Sequence, residues 1–112
     1  MKIITPNGSI DCRIADTSAK RAIGLMMQRS IEPLFFDMGR ESRNSCTMHT
    51  LFMLRTIDMV FLSSERKVVD IKTAKPFKPV IRPKAPARYV IELPEGMSRM
   101  FDLGQKVELK GE

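Results

Sequence analysis

Apolar positions along this chain fall in short runs of period two, cut every few residues by turn formers, and that pattern predicts strands. Lys2–Thr5 is the first. Asn7-Gly8 after it is a hairpin turn, because both residue types accept positive φ, and residues 10–15 return as the partner strand. The period changes at Asp16-Thr17-Ser18, whose side chains can cap a helix. Ala19, Ala22, Ile23 and Met26 then recur at helical spacing. Gly24 weakens that helix by about 1 kcal/mol relative to Ala, a cost that close approach to another backbone would explain. Leu34-Phe35-Phe36 is a short strand, and the polar stretch 39–45 is an exposed loop.

The longest apolar run, 46–62, marks the structural centre. It holds the only histidine, one of the two cysteines and three of the nine methionines. It predicts two strands, 47–54 and 57–62, with a break at Arg55-Thr56. The second is apolar on both alternating faces except at Asp58, which is how a strand covered on both sides reads. A carboxylate in that position needs donors or water. Residues 63–67 are a polar turn and 68–73 the next strand. Four of the seven prolines fall within 75–87, which excludes a continuous helix or a central strand and predicts an extended surface loop. A strand at 89–93, a turn at Pro94-Glu95-Gly96, one helical turn at 97–101 and a strand at 106–109 complete the chain. The expectation is a mostly β fold, α+β at most, with one short helix. It is a small barrel-like or sandwich-like single domain over residues 1–112.

Four elements in order carry a family resemblance: Gly24-Leu25-Met26, Met48-His49-Thr50 with Phe52-Met53, Ile57-Asp58-Met59-Val60-Phe61, and Tyr89-Val90-Ile91-Glu92-Leu93-Pro94-Glu95-Gly96. In this the chain resembles the uncharacterised prokaryotic domain-of-unknown-function family numbered one hundred and ninety-two, from about residue 14 to 109. The resemblance implies a compact, mostly β, barrel-like fold with a short helix carrying Gly24-Leu25-Met26, and it implies no activity. Two positions depart from the family pattern. Cys46-Thr47 stand where it often has Phe or Ile and then Trp, and Thr56 stands where it often has proline.

Composition adds limits. A chain of 112 residues, 43% hydrophobic and 29% charged, can bury a core without disulfide staples. Cys12 and Cys46 belong to no CxxC pair and read as buried thiols of a reducing compartment, with a bridge between them left open. The N-terminus lacks the apolar core of a signal peptide, and no run approaches the roughly 20 apolar residues that cross a bilayer. The expectation is therefore a soluble, cytoplasmic monomer. A formal charge of +6 favours an anionic partner.

Three groups of residues are candidates for chemistry. His49 with Asp58 would be a general-base pair, with Cys46 as a nearby thiol. The alternative, and the preferred one, is that Asp58 accepts backbone N–H groups and His49 caps an edge. Cys46, Met48, His49 and Met53 are soft-metal ligand types. Strand alternation separates them onto two faces, so core filling is preferred, and no metal or cofactor is expected. Lys72, Lys75, Lys78, Arg82, Lys84 and Arg88 carry six positive charges with no acid between them, beside Phe77 and Tyr89. Phosphate contacts plus stacking aromatics make a single-stranded nucleic acid surface, and a solvated loop is the alternative. No activity follows from these residues. The preferred reading is a small non-catalytic binding module of unidentified ligand. A nucleic-acid-associated protein using the basic loop is second, and an enzyme using His49 and Asp58 third.

Overall fold

The computed structural model describes residues 1–15, 32–51 and 53–111. The helix expected from residue 16, with Gly24, lies outside them, as does Phe52. The chain opens on the expected hairpin, β1 (Lys2–Thr5) against β2 (Gly8–Asp11), with Thr5 opposite Gly8. The Thr5 hydroxyl closes the turn by donating to the Gly8 carbonyl at 3.1 Å and accepting the Asn7 N–H at 3.1 Å.

The partner strand expected over 10–15 is two strands divided at Cys12, which packs in the core between the sheets, whereas Ala15 packs in the core on the opposite face of the large sheet. The chain leaves the first sheet at Cys12, whose N–H reaches the Met1 carbonyl at 2.8 Å. β3 (Arg13–Ala15) then joins a second sheet, parallel to β4 (Leu34–Ser42). That sheet is completed by β5 (Ile57–Leu62), β6 (Val68–Ala74) and β7 (Ala87–Pro94), in the order β3-β4-β7-β5-β6. A single 3-10 turn, η1 (Met97–Met100), follows β7. β8 (Glu108–Lys110) returns to pair with β1 and gives the small sheet the order β2-β1-β8.

The expected double burial of β5 holds for all six residues, and the alternation divides them between two cores. Val60 and Leu62 pack with Ile3, Phe101 and Val107 between the two sheets. Ile57, Met59 and Phe61 pack on the opposite face with Cys46, Met53 and Ile81, which come from the long loops. Burying these aliphatic and aromatic groups supplies the main driving force, about 1.5–3 kcal/mol for each large side chain fully removed from water. No helix among the described residues is long and apolar enough to cross a membrane.

Two expectations need correction. β4 runs on through Ser42, so the first part of the expected 39–45 loop is strand. It is bulged between Asp37 and Ser42 and exposed there, with Gly39 at φ +83. Its polar residues signalled solvent and not the absence of pairing. Conversely, the described residues of 47–54 form no strand. Only Met48 bridges, to Ile81, and Leu51 and Leu54 stand exposed. The backbone groups of Met48 and Thr50 are satisfied by the proline-rich loop and not by the sheet.

Candidate functional site

That exchange of hydrogen bonds fixes a turn of the proline-rich loop against Thr50. Thr50 is fully buried, so its hydroxyl and peptide groups must find partners inside the protein. They find them in residues 75–78. The Thr50 hydroxyl donates to the Lys75 carbonyl at 2.7 Å and accepts the Lys78 N–H at 2.9 Å. Its peptide N–H donates to the Lys78 carbonyl at 2.8 Å, and its carbonyl accepts the Phe77 N–H at 2.6 Å. One threonine thus clamps a four-residue turn. Sequence reasoning did not single it out, although a hydroxyl inside an apolar run is itself a signal that partners are waiting.

The clamp holds Phe77 at φ 67, in the left-handed region, with its ring 66% exposed. A bulky aromatic there is a genuine conformational outlier, of the kind that persists only where surrounding contacts over-determine it. Beside it lies a hollow of about 330 Å³ lined by Lys72, Thr73, Lys78, Val80, Ile81 and Arg82. A second hollow, of about 570 Å³ between the small sheet and residue 66, carries Arg66, Lys106 and Glu108 and so presents charges of both signs.

The six cations of the basic run are not equivalent. Lys72 is paired with Asp70 at 3.4 Å, and Arg88 grips Asp37 through two nitrogens at 3.0 and 3.2 Å. Lys75, Lys78, Arg82 and Lys84 are exposed and their charged groups pair with no carboxylate among the described residues, although the peptide N–H of Lys84 donates to the Asp70 carboxylate at 2.9 Å. Arg82 Nε reaches only the Thr47 hydroxyl, at 3.3 Å. Tyr89 is buried and stacks on Phe35 at 5.4 Å, so it offers no open face. Phe77 is the aromatic available to a ligand here.

His49, Asp58 and Cys46 are not brought together, and no hydrogen bond joins any two of them. His49 is exposed, with its Nδ1 accepting the Leu51 N–H at 3.3 Å. Asp58 is buried on β5. One oxygen accepts the Thr73 hydroxyl at 2.8 Å, and the other accepts the N–H groups of Gly96 at 2.9 Å and Ser98 at 3.0 Å. Burial opposes its charge, but these donors outweigh burial and hold its carboxyl below the ordinary value. Asp58 thereby caps η1, whose own N-cap residue, Gly96, has no side chain to do so. Cys46 is fully buried and its thiol donates to the Ala87 carbonyl at 3.2 Å. Burial pushes its pKa up to about 11, which leaves a thiol and not the thiolate a nucleophile needs.

The soft-metal set also divides. Cys46 and Met53 are buried in one core with Met48 packed against it, while His49 faces outward. Cys12 and Cys46 sit in cores on opposite faces of the large sheet and form no bridge with one another. One ionisable group escaped sequence reasoning. Glu92 lies on β7 between Leu34 and Met59, 5% exposed, with no hydrogen bond from a described residue. Burial raises its pKa to about 8, so it is mostly protonated at neutral pH.

Comparison with known proteins places the chain. The model of the family DUF192, described as an uncharacterised one, matches residues 2–110. A UPF0127 protein of Pyrococcus horikoshii is 42% identical over 100 residues, covering 88% of this chain and 86% of its own length. One from Pyrococcus abyssi is 42% identical over 97 residues, covering 85% and 82%. Among solved structures, a Sinorhizobium meliloti protein provisionally described as a transcription regulator superposes with a TM-score of 0.81 at 25% identity, over 96% of this chain and 89% of that one. A Novosphingobium aromaticivorans protein of unknown function superposes with a TM-score of 0.78, also at 25% identity, over 96% and 82%.

Proposed function

We propose that this chain, which belongs to the uncharacterised family DUF192, is a small non-catalytic binding module that takes a phosphate-bearing polyanion on the outer face of residues 75–84. The observation that carries the reading is the set of four exposed cations whose charged groups pair with no carboxylate among the described residues, on a loop whose first turn, with Lys75 and Lys78, Thr50 fixes through four hydrogen bonds. A loop serving only as solvated surface has no need of so firm an internal clamp. Preorganised cations lose little freedom when an anion docks, so more of the attraction survives as affinity. The proline content works in the same direction by stiffening the segment. The two buried cysteines, both thiols, fit a reducing compartment, and we place the protein in the cytoplasm as a monomer.

The test is fluorescence anisotropy with a labelled inorganic polyphosphate across a salt series. Wild type is expected to bind at low salt and to weaken steeply as salt rises, as phosphate contacts do. The variant carrying Lys75→Ala, Lys78→Ala, Arg82→Ala and Lys84→Ala is expected to lose nearly all binding. Equal binding by wild type and variant, or no binding by wild type at low salt, would refute the proposal.

A further inference from the structure

Resting on that reading, we infer that the polyanion is a single-stranded nucleic acid, with a base stacked on Phe77 and its phosphates lying across the hollow lined by Lys72, Lys78 and Arg82. Exposure of one aromatic ring is by itself ordinary. The backbone beneath it is not. Phe77 occupies a left-handed conformation that glycine or asparagine would adopt at little cost and a phenylalanine adopts against steric resistance. Its ring joins neither core cluster and so does nothing for packing that would offset the strain. Strain of this kind, held by Thr50 from below and yielding only an outward-facing ring, belongs with the sites where conformation serves a ligand.

The chemistry of the surroundings selects the ligand. Phosphate alone would need the cations and no ring. A double helix would meet the cations but keeps its base faces stacked and hidden. An unpaired strand offers both, because each base has an open π-face and each step a phosphate. Lys75 and Lys78 flank Phe77 along the chain, and Lys78 also lines the hollow, so a residue next to the ring belongs to the cationic floor. Val80 beside it is 60% exposed and adds apolar surface for a sugar or a second base. DNA and RNA share this chemistry.

The experiment compares labelled single-stranded DNA, single-stranded RNA, duplex DNA and polyphosphate by anisotropy. Wild type should bind single strands with a log–log salt slope of about −3 if the four unpaired cations each displace a counterion. Phe77→Leu, which keeps an apolar side chain but removes the π-face, should weaken single-strand binding about 10-fold or more. It should leave polyphosphate binding unchanged, and Phe77→Tyr should retain both. Phe77→Gly should raise Tm by relieving the backbone while losing oligonucleotide affinity, an opposition that a merely structural residue would not show. The tighter of the two single strands identifies the source, and either one supports the assignment. Unchanged oligonucleotide binding in Phe77→Leu would overturn the stacking inference and leave the polyanion reading standing. So would equal losses for oligonucleotide and polyphosphate, or duplex binding as tight as single-strand binding. Absence of polyphosphate binding in wild type would remove the underlying reading itself.

Discussion

Replacing Asp58 with alanine is expected to cost about 3–5 kcal/mol of stability, a large share of the roughly 5–15 kcal/mol that holds a domain together. The carboxylate is buried and accepts three hydrogen bonds, from Thr73, Gly96 and Ser98. Alanine strands all three donors and detaches η1 from β5. Asp58→Asn keeps one acceptor oxygen but turns an amide NH₂ toward donors, and should cost about 1–3 kcal/mol. The sign with pH is fixed by the depressed folded-state pKa. The stabilisation is fully present above the unfolded value near 3.9 and is lost as pH falls through the lower folded value. Urea unfolding at pH 7 and at pH 3 checks both points, with the difference between wild type and Asp58→Asn shrinking at the lower pH. An unchanged unfolding midpoint in Asp58→Ala would mean that the residue is not a structural acceptor.

Glu92 acts in the opposite direction. Its folded pKa of about 8 exceeds the ordinary value of 4.5, so across that window the folded protein holds a proton the unfolded chain has released. Stability should therefore fall as pH rises from about 5 to 8, by up to about 1.4 kcal/mol per pH unit from this group alone. Glu92→Gln keeps a similar shape without the charge. It should be the more stable protein at pH 8, with a Tm nearly level from pH 5 to 8, and its advantage should shrink as pH falls towards the ordinary value of 4.5, below which wild type is protonated in both states. The same fall with pH in both proteins would show that Glu92 is not the group responsible.

Much of this fold was legible in the chain because its signals are local. The Asn7-Gly8 turn, the doubly apolar run of β5, the alternation of β6 and the turn at 94–96 each depend on neighbouring residues. The region 47–54 misled because an apolar run reports burial and not conformation. The hydrogen bonds of Met48 and Thr50 with the proline-rich loop run to residues 25 to 33 positions away, where no local period can register them. The basic run was visible, but not which of its charges are spent, since Asp70 and Asp37 lie outside it. The strained backbone at Phe77 has no signature in sequence, because phenylalanine is a residue type that ordinarily avoids it. Glu92 was not legible as a buried group. Within Val90-Ile91-Glu92-Leu93 a polar residue suggests a solvent face, yet β7 lies between β4 and β5 with both faces covered.

On the proposed reading the functional surface is the Thr50-clamped basic loop and not the His49 and Asp58 region. Backbone amide NMR titration with a short single-stranded oligonucleotide tests it most directly. Perturbations are expected to concentrate at Thr50, Phe77, Lys78, Val80 and Arg82, with the amides of β5 and of Ser98 unmoved. Perturbations centred on Asp58 and η1, on the hollow beside Arg66, or nowhere on the protein would contradict it.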